Sequence, residues 1–191
     1  DRLRALNMAM NLAVLDHESG ALTAALQQYD AVLQQAAALG NRGAWLRARL
    51  NQCNLLTLLG CDEEARLAIT AALAELDHNG VALLCWNAHQ LLAEIARRQG
   101  ALQVAAAELA LAQAALDGME ARTERWEWRL EQGWQQLTTD PAAAKQAATE
   151  LVAQTADYPE WQARAEHLAL TVDLAGLESS VATDWRPPLK R

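Results

Sequence analysis

The chain reads as an all-α protein built from stacked antiparallel helix pairs, about four pairs followed by a terminal capping helix. Three observations carry that reading. Gly20, Gly60 and Gly100 stand 40 residues apart, Asp140 holds the next equivalent place, and Ala25, Ala65 and Ala105 each follow their glycine by five. Between these marks apolar residues recur at intervals of three and four, the period of an amphipathic helix. Alternation of apolar and polar residues never persists, and the β-branched and aromatic content is too low for a sheet.

The elements follow in order. Leu3, Leu6, Met10 and Val14 give a helix from Arg2 to about Leu15, interrupted by His17-Glu18-Ser19-Gly20. Leu22, Leu26, Tyr29, Leu33 and Ala37 give a second from Ala21 to Leu39, closed at Gly40-Asn41-Arg42-Gly43, with Gly40 suited to a left-handed cap. So short a turn between the two makes them an antiparallel hairpin. The pattern recurs at roughly 44–59 and 62–77, 81–99 and 101–117, then 120–138 and 141–156, with a turn around Asn79-Gly80. Asp62 is expected to cap one helix, and Asp140-Pro141 sets an N-cap before a proline at the first helical position. A ninth helix, about Glu160 to Leu177, closes the stack. From Ser179 periodicity is lost, and Pro187 and Pro188 mark an extended tail. Its Trp185 either tacks the tail onto the last helix or occupies a neighbouring molecule's groove.

Composition narrows the function classes. With 191 residues and 52% hydrophobic content the chain can bury a substantial core. A net charge of -8, with positive charges scattered among more numerous acids, argues against a nucleic-acid surface; the basic tail from Arg186 to Arg191 is too short to reverse that. Cys53, Cys61 and Cys85 form no CxxC, so no disulfide framework is expected and a reducing, cytoplasmic setting is the default. No apolar run approaches membrane-spanning length, and charged residues rather than a signal-peptide core follow Asp1. The opening at Asp1, already in a helical pattern, reads as part of something longer.

The stretch Leu59-Gly60-Cys61-Asp62-Glu63-Glu64-Ala65, continuing to Ala72-Leu73, resembles the tetratricopeptide repeat family where its first helix ends, turns and enters the second. Weaker copies lie at Gly20 to Ala25 and at Arg98-Gln99-Gly100 to Ala105, with Ala112 seven residues on. Alanine lets adjacent helices approach, and glycine permits the turn. The resemblance implies a right-handed superhelical α-solenoid over residues 1–177, leaving 178–191 as the tail, because a single repeat cannot bury its apolar face alone. The 40-residue unit exceeds the family's usual length of about 34 and largely lacks its closing proline. Longer units of this kind are similar to those in bacterial signalling proteins, including sensor domains of LuxR-type transcription activators and repeats attached to cyclase-type outputs.

In the family the first helix of each pair lines an inner groove. Counting back from the turn glycines places Asn7, Met10, Val14 and His17 there, then Arg47, Leu50, Asn54 and Thr57. The next two helices supply Asn87, Gln90, Glu94 and Arg97, and Glu127, Leu130, Trp134 and Leu137. Asn11 and Asn51 join Asn7, Asn54 and Asn87 to make a recurrent set in helix interiors, where asparagine is a poor helix former. One reading is a solvated face or amides bonded between helices. The other is a ladder of donors and acceptors that pairs with the backbone of an extended peptide, with Leu50, Leu130 and Trp134 as apolar anchors. The lysine-rich clamp by which chaperone-binding members grip a terminal carboxylate is not expected, since Lys145 and Lys190 fall at no matching place.

Seven tryptophans stand against no phenylalanine. Trp45, Trp86 and Trp126 recur near the starts of first helices and Trp161 begins the last, which favours packing between repeats. Trp126, Leu130 and Trp134 share a face with Trp128 opposite, so Trp134 is the ring to expect at a ligand. Asp62-Glu63-Glu64 suits the positive end of a helix dipole, and Cys85 with His89 lacks the further ligands a metal site needs. His17, His78, His89 and His167 show no nucleophile partner or HExxH arrangement, and no phosphate loop exists. The expectation is therefore a non-catalytic domain of a bacterial regulatory protein, without cofactor or metal, binding a protein or peptide and neither nucleic acid nor membrane. The alternatives are a sugar or other metabolite sensor using Trp126 to Trp134 with Glu94, Arg97 and Glu127, and a scaffold that self-associates as a homo-oligomer through its stacked ends.

Overall fold

Nine α-helices and no strand make up the described residues, 2–76, 82–117 and 119–184, of the computed structural model. The chain divides into two compact units, Asp1–Asp117 and Gly118–Arg191. The turn expected at Asn79-Gly80, His78, and the stretch 185–191 with Trp185 lie outside the described residues.

The first unit holds α1 (Arg2–Glu18), α2 (Leu22–Ala38), α3 (Arg42–Leu58), α4 (Asp62–Glu75), α5 (Ala82–Arg98) and α6 (Leu102–Leu116). Each packs on its neighbour in sequence, and α3 also touches α1 and α5. No close backbone contact joins α2 to α4 among the described residues. Gly20, Gly40, Gly60 and Gly100 all take positive φ, between 64° and 81°. At Gly60 the reason is visible: the Cys61 N–H reaches the Leu56 carbonyl at 2.9 Å and the Gly60 N–H reaches Thr57 at 3.1 Å, which pairs helix-end carbonyls only if the intervening residue is left-handed.

Two clusters form the core of this unit. Tyr29, Val32, Leu6, Met10 and Ala25 join Ala48 and Leu55 of α3, whereas Leu46, Leu50 and Cys53 on another side of α3 join Ile69, Ala72, Leu84, Leu91 and Ile95. Helix α3 is thus clasped from both sides. Arg98 ties successive pairs, donating to the Thr57 carbonyl at 2.6 Å and pairing with Asp62 at 3.2 Å.

The second unit holds α7 (Arg122–Thr139), α8 (Pro141–Gln154) and α9 (Pro159–Asp184), each touching the other two. Trp126, Leu130, Ala144, Ala148, Leu151, Ala165, Leu168 and Val172 form its core. Asp140 caps α8, its carboxylate accepting from the Ala143 N–H at 3.0 Å, one residue before Pro141. Two expectations are corrected. Asp62 is the first helical residue of α4 and Cys61 holds the cap position, while Asn41 caps α3 by accepting from the Ala44 N–H. Helix α9 runs on to Asp184, so 178–184 is helical rather than extended; the polar run Glu178-Ser179-Ser180 interrupts the apolar spacing, but glutamate and serine are tolerated in a helix.

Candidate functional site

In the first unit, the side of α3 that solvent reaches between its two cores is a stripe at spacings of four, three and four. Arg47 and Leu58 are exposed, and Asn51 and Asn54 are half-buried. The equivalent stripe on α1 carries Asn7 and Asn11, both exposed, and on α5 Asn87 and Glu94, both half-buried, with Arg97 also half-buried. Because α1, α3 and α5 touch in that order and share the 40-residue register, Asn7, Arg47 and Asn87 occupy corresponding places, as do Asn11 with Asn51 and Asn54 with Glu94, while the buried Leu91 takes the Asn51 place on α5.

The amides are little used by the fold. The Asn51 Nδ2 lies 4.0 Å from the Met10 sulfur, a weak acceptor. Among the described residues the side chains of Asn7, Asn11, Asn54 and Asn87 make no hydrogen bond, so amide-to-amide bonding between helices is not what keeps them there. Nearby charges are partly paired, with Glu94 3.8 Å from Arg98.

Five expected groove residues, Met10, Leu50, Thr57, Gln90 and Leu130, belong instead to the interior. Leu50 is 1% exposed, Leu130 4% and Gln90 8%, and each holds the register of Met10, which is buried too. One residue along a helix turns the side chain by about 100°, enough to move from the polar stripe into the core. Leu50 and Leu130 therefore cannot serve as anchors; Leu58, 62% exposed at the end of the α3 stripe, is the apolar group a ligand could meet. Val14, His17 and Leu137 are half-buried and Thr57 is buried, its hydroxyl donating to the Cys53 carbonyl.

Glu127, Leu130 and Trp134 lie in the second unit. Glu127 pairs with Arg164 at 3.5 Å. Trp134 is half-buried, its ring 5.4 Å from that of His167, rather than freely presented. Trp126 packs edge-on to Tyr158 at 4.9 Å and tilted to Trp161 at 5.9 Å, while the Arg164 guanidinium caps Trp161 at 4.4 Å. Of this aromatic set Trp126 is buried in the core, Trp134 and Trp161 are half-buried against it, and Tyr158 is exposed at its edge.

A second feature went unread in the sequence. Trp45 forms part of both walls of a cleft where α2 and α4 stand apart. One lobe, about 310 Å³, is lined by Ala36, Ala37, Gly40, Asn41, Arg42, Trp45 and Glu75. The other, about 380 Å³, is lined by Trp45, Arg49, Glu64, Leu67, Ala68 and Ala71. Arg42 crosses to Glu75 at 2.8 Å and also donates to the Glu75 carbonyl. Arg49 stacks over Trp45 at 5.2 Å and donates to Gln52 at 2.8 Å, and Gln52 donates onward to Asp30 of α2 at 2.7 Å. Beside them, burial pushes the Cys53 thiol up to about 11, with Arg49 opposing and Glu64 assisting. The recurrence of tryptophan at the start of α3 was legible; the gap between α2 and α4 was not.

His89 and Glu108 join α5 to α6 at 2.7 Å, and Cys85 packs against the core rather than pairing with His89. Among the described residues no group of three or more potential ligands could hold a metal, and no helix is long and apolar enough to cross a membrane. No protein-family model, curated protein or solved structure matches the chain.

Proposed function

We propose that this chain is a tetratricopeptide-like α-solenoid segment that binds an extended peptide of a protein partner along the polar stripes of α1, α3 and α5, as a recognition domain of a bacterial regulatory or signalling protein. The observation that carries it is the set of unengaged amides: Asn54 and Asn87 are half-buried on adjacent helices and make no side-chain hydrogen bond within the described residues. A half-buried amide with free donor and acceptor gains most when an incoming backbone supplies both partners. Arg47 and Glu94 flank the amides with opposite charges, and Leu58 supplies an apolar contact at one end.

The test is peptide display against the 191-residue chain, followed by direct titration of the selected peptides. Affinity should survive side-chain changes in the peptide, fall on backbone N-methylation, and drop by roughly tenfold or more in Asn51→Ala/Asn54→Ala/Asn87→Ala at unchanged helicity. Equal binding by parent and variant, or failure to select any peptide, sinks the proposal.

The Trp45 cleft favours a second reading, recognition of a small planar metabolite, because its lobes of about 310 and 380 Å³ fall in the lower range of ligand pockets. A compound that raises the melting temperature of the parent but not of Trp45→Ala would support it.

A further inference from the structure

Helix α1 carries a face that the fold leaves open. Met8 is 67% exposed, Leu12 50% and Leu15 60%. The equivalent residues one repeat on, Ala48, Gln52 and Leu55, are all under 8% exposed, with Ala48 and Leu55 packed on the α1–α2 cluster. Two repeats on, Ala88 and Ile95 are buried and Leu92 packs against the α3–α4 cluster. This register is therefore a helix-packing surface wherever a helix lies against it, and on α1 it is more apolar than in α3, with methionine and leucine where α3 has alanine and glutamine.

The charges beside that face are arranged antisymmetrically. Arg4 and Glu18 lie along one edge and Arg2 and Asp16 along the other, with the arginines in the first turn and the acids at the far end. Arg4 and Glu18 make no ion pair among the described residues, and Asp16 accepts from Gln28 through one oxygen. A two-fold axis passing beside Leu12 maps each edge onto itself with its direction reversed, so Arg4 meets Glu18 of the other copy, whereas Arg2 and Asp16 fall out of register with each other. The same operation sets Met8 against Leu15 and Leu12 against Leu12. A parallel arrangement would oppose like charges.

We infer that a second copy of this chain docks on α1, face to face and antiparallel, through Met8, Leu12 and Leu15, with Arg4 of each copy paired to Glu18 of the other. The contact is isologous and closed, so it yields a dimer rather than a fibre. A 17-residue helix is only about 25 Å long, and one such helix pair buries less than the roughly 1,200 Å² of a standard interface, so the dimer forms in the micromolar range or above.

Sedimentation velocity of the full 191-residue chain, from low to hundreds of micromolar, tests this. The parent should pass from monomer to dimer, and Leu12→Glu should remain monomeric with an unchanged circular dichroism spectrum. Arg4→Glu and Glu18→Arg should each weaken the dimer roughly tenfold, because each reversal acts twice across the axis, and the double swap should restore it to within about threefold. A parent that stays monomeric throughout overturns the inference, as does a dimer that survives in Leu12→Glu. Failure of the double swap to rescue overturns the antiparallel pairing.

Discussion

Where α3 of the first unit carries Cys53 with no exposure, α7 of the second carries Gly133 two repeat lengths later, also buried. The neighbouring register position reverses the sizes, Leu46 on α3 against Trp126 on α7. In the first unit mostly aliphatic side chains, from alanine to leucine, fill both sides of α3, with Tyr29 the buried ring of the α1–α2 cluster. In the second, three aromatic rings crowd the start of α7 and α9, and a glycine further along lets α9 come close: a Cβ on Gly133 would lie 2.5 Å from Leu168 Cδ2. One repeat pattern is thus packed in two ways, and what a position tolerates depends on the neighbour rather than on its place in the repeat.

The largest expected effect concerns what the two units share. Leu50→Ala and Leu130→Ala should each lower stability by about 2–5 kcal/mol in urea titration, because both remove fully packed methyl groups and leave cavities. Had these residues been ligand anchors, truncation would have left stability unchanged, so a loss below about 1 kcal/mol would break the assignment of both to the interior.

The two helical glycines of the second unit sharpen the contrast. Gly133→Ala gains helix propensity of about 1 kcal/mol but must displace Leu168 from a fully buried site, and the net result should be destabilising by roughly 1–2 kcal/mol. Gly176→Ala meets nothing within 4 Å and should stabilise α9 by about 0.5–1 kcal/mol. Thermal unfolding of the pair decides it: shifts of the same sign would mean that Leu168 yields freely and the close approach is not what requires glycine.

The smallest effect lies in the first unit. The hydroxyl of Tyr29, buried and with its pKa pushed up to about 12 by burial and then by Glu18, sits 3.4 Å from His17 Nδ1. Burial lowers the His17 pKa from its ordinary 6.5, with Glu18 pulling the other way. A lowered histidine binds its proton more readily in the unfolded chain, so stability is full above about pH 6.5 and declines as pH falls through and below that value. His17→Gln should flatten this acid limb, read as the change in melting temperature between about pH 7.5 and about pH 5.5. Parallel slopes for parent and variant would show that protonation of His17 costs the α1–α2 pair nothing.

The helices of the described residues, the turns at Gly20, Gly40, Gly60 and Gly100, and the 40-residue period were legible because they rest on short-range chemistry. A helix announces itself by spacing within one or two turns, and a left-handed residue at Gly20, Gly60 or Gly100 is dictated by the carbonyls just before it. The cap at Asp140 was equally local; the one at Asn41 was hidden inside a turn rich in other turn residues. The polar stripe was legible only to within a residue. Asn51 and Asn54 stand on it and Leu50 does not, and nothing in the spacing separates them, because the helices are longer than the pattern used to count them.

Thus the sequence by itself determined the all-helical class, the order of the helices and the chemistry available on their faces, since each follows from hydrogen bonds and periodicity within a few turns. Tertiary packing alone decided that Leu50, Gln90 and Leu130 turn inward, that Trp45 flanks a cleft where α2 and α4 stand apart, and that Met8, Leu12 and Leu15 stay uncovered. Those outcomes depend on which helix arrives on which side, and residues adjacent in the chain differ by about 100° around the helix axis, so the arrival of a neighbour separates buried from exposed.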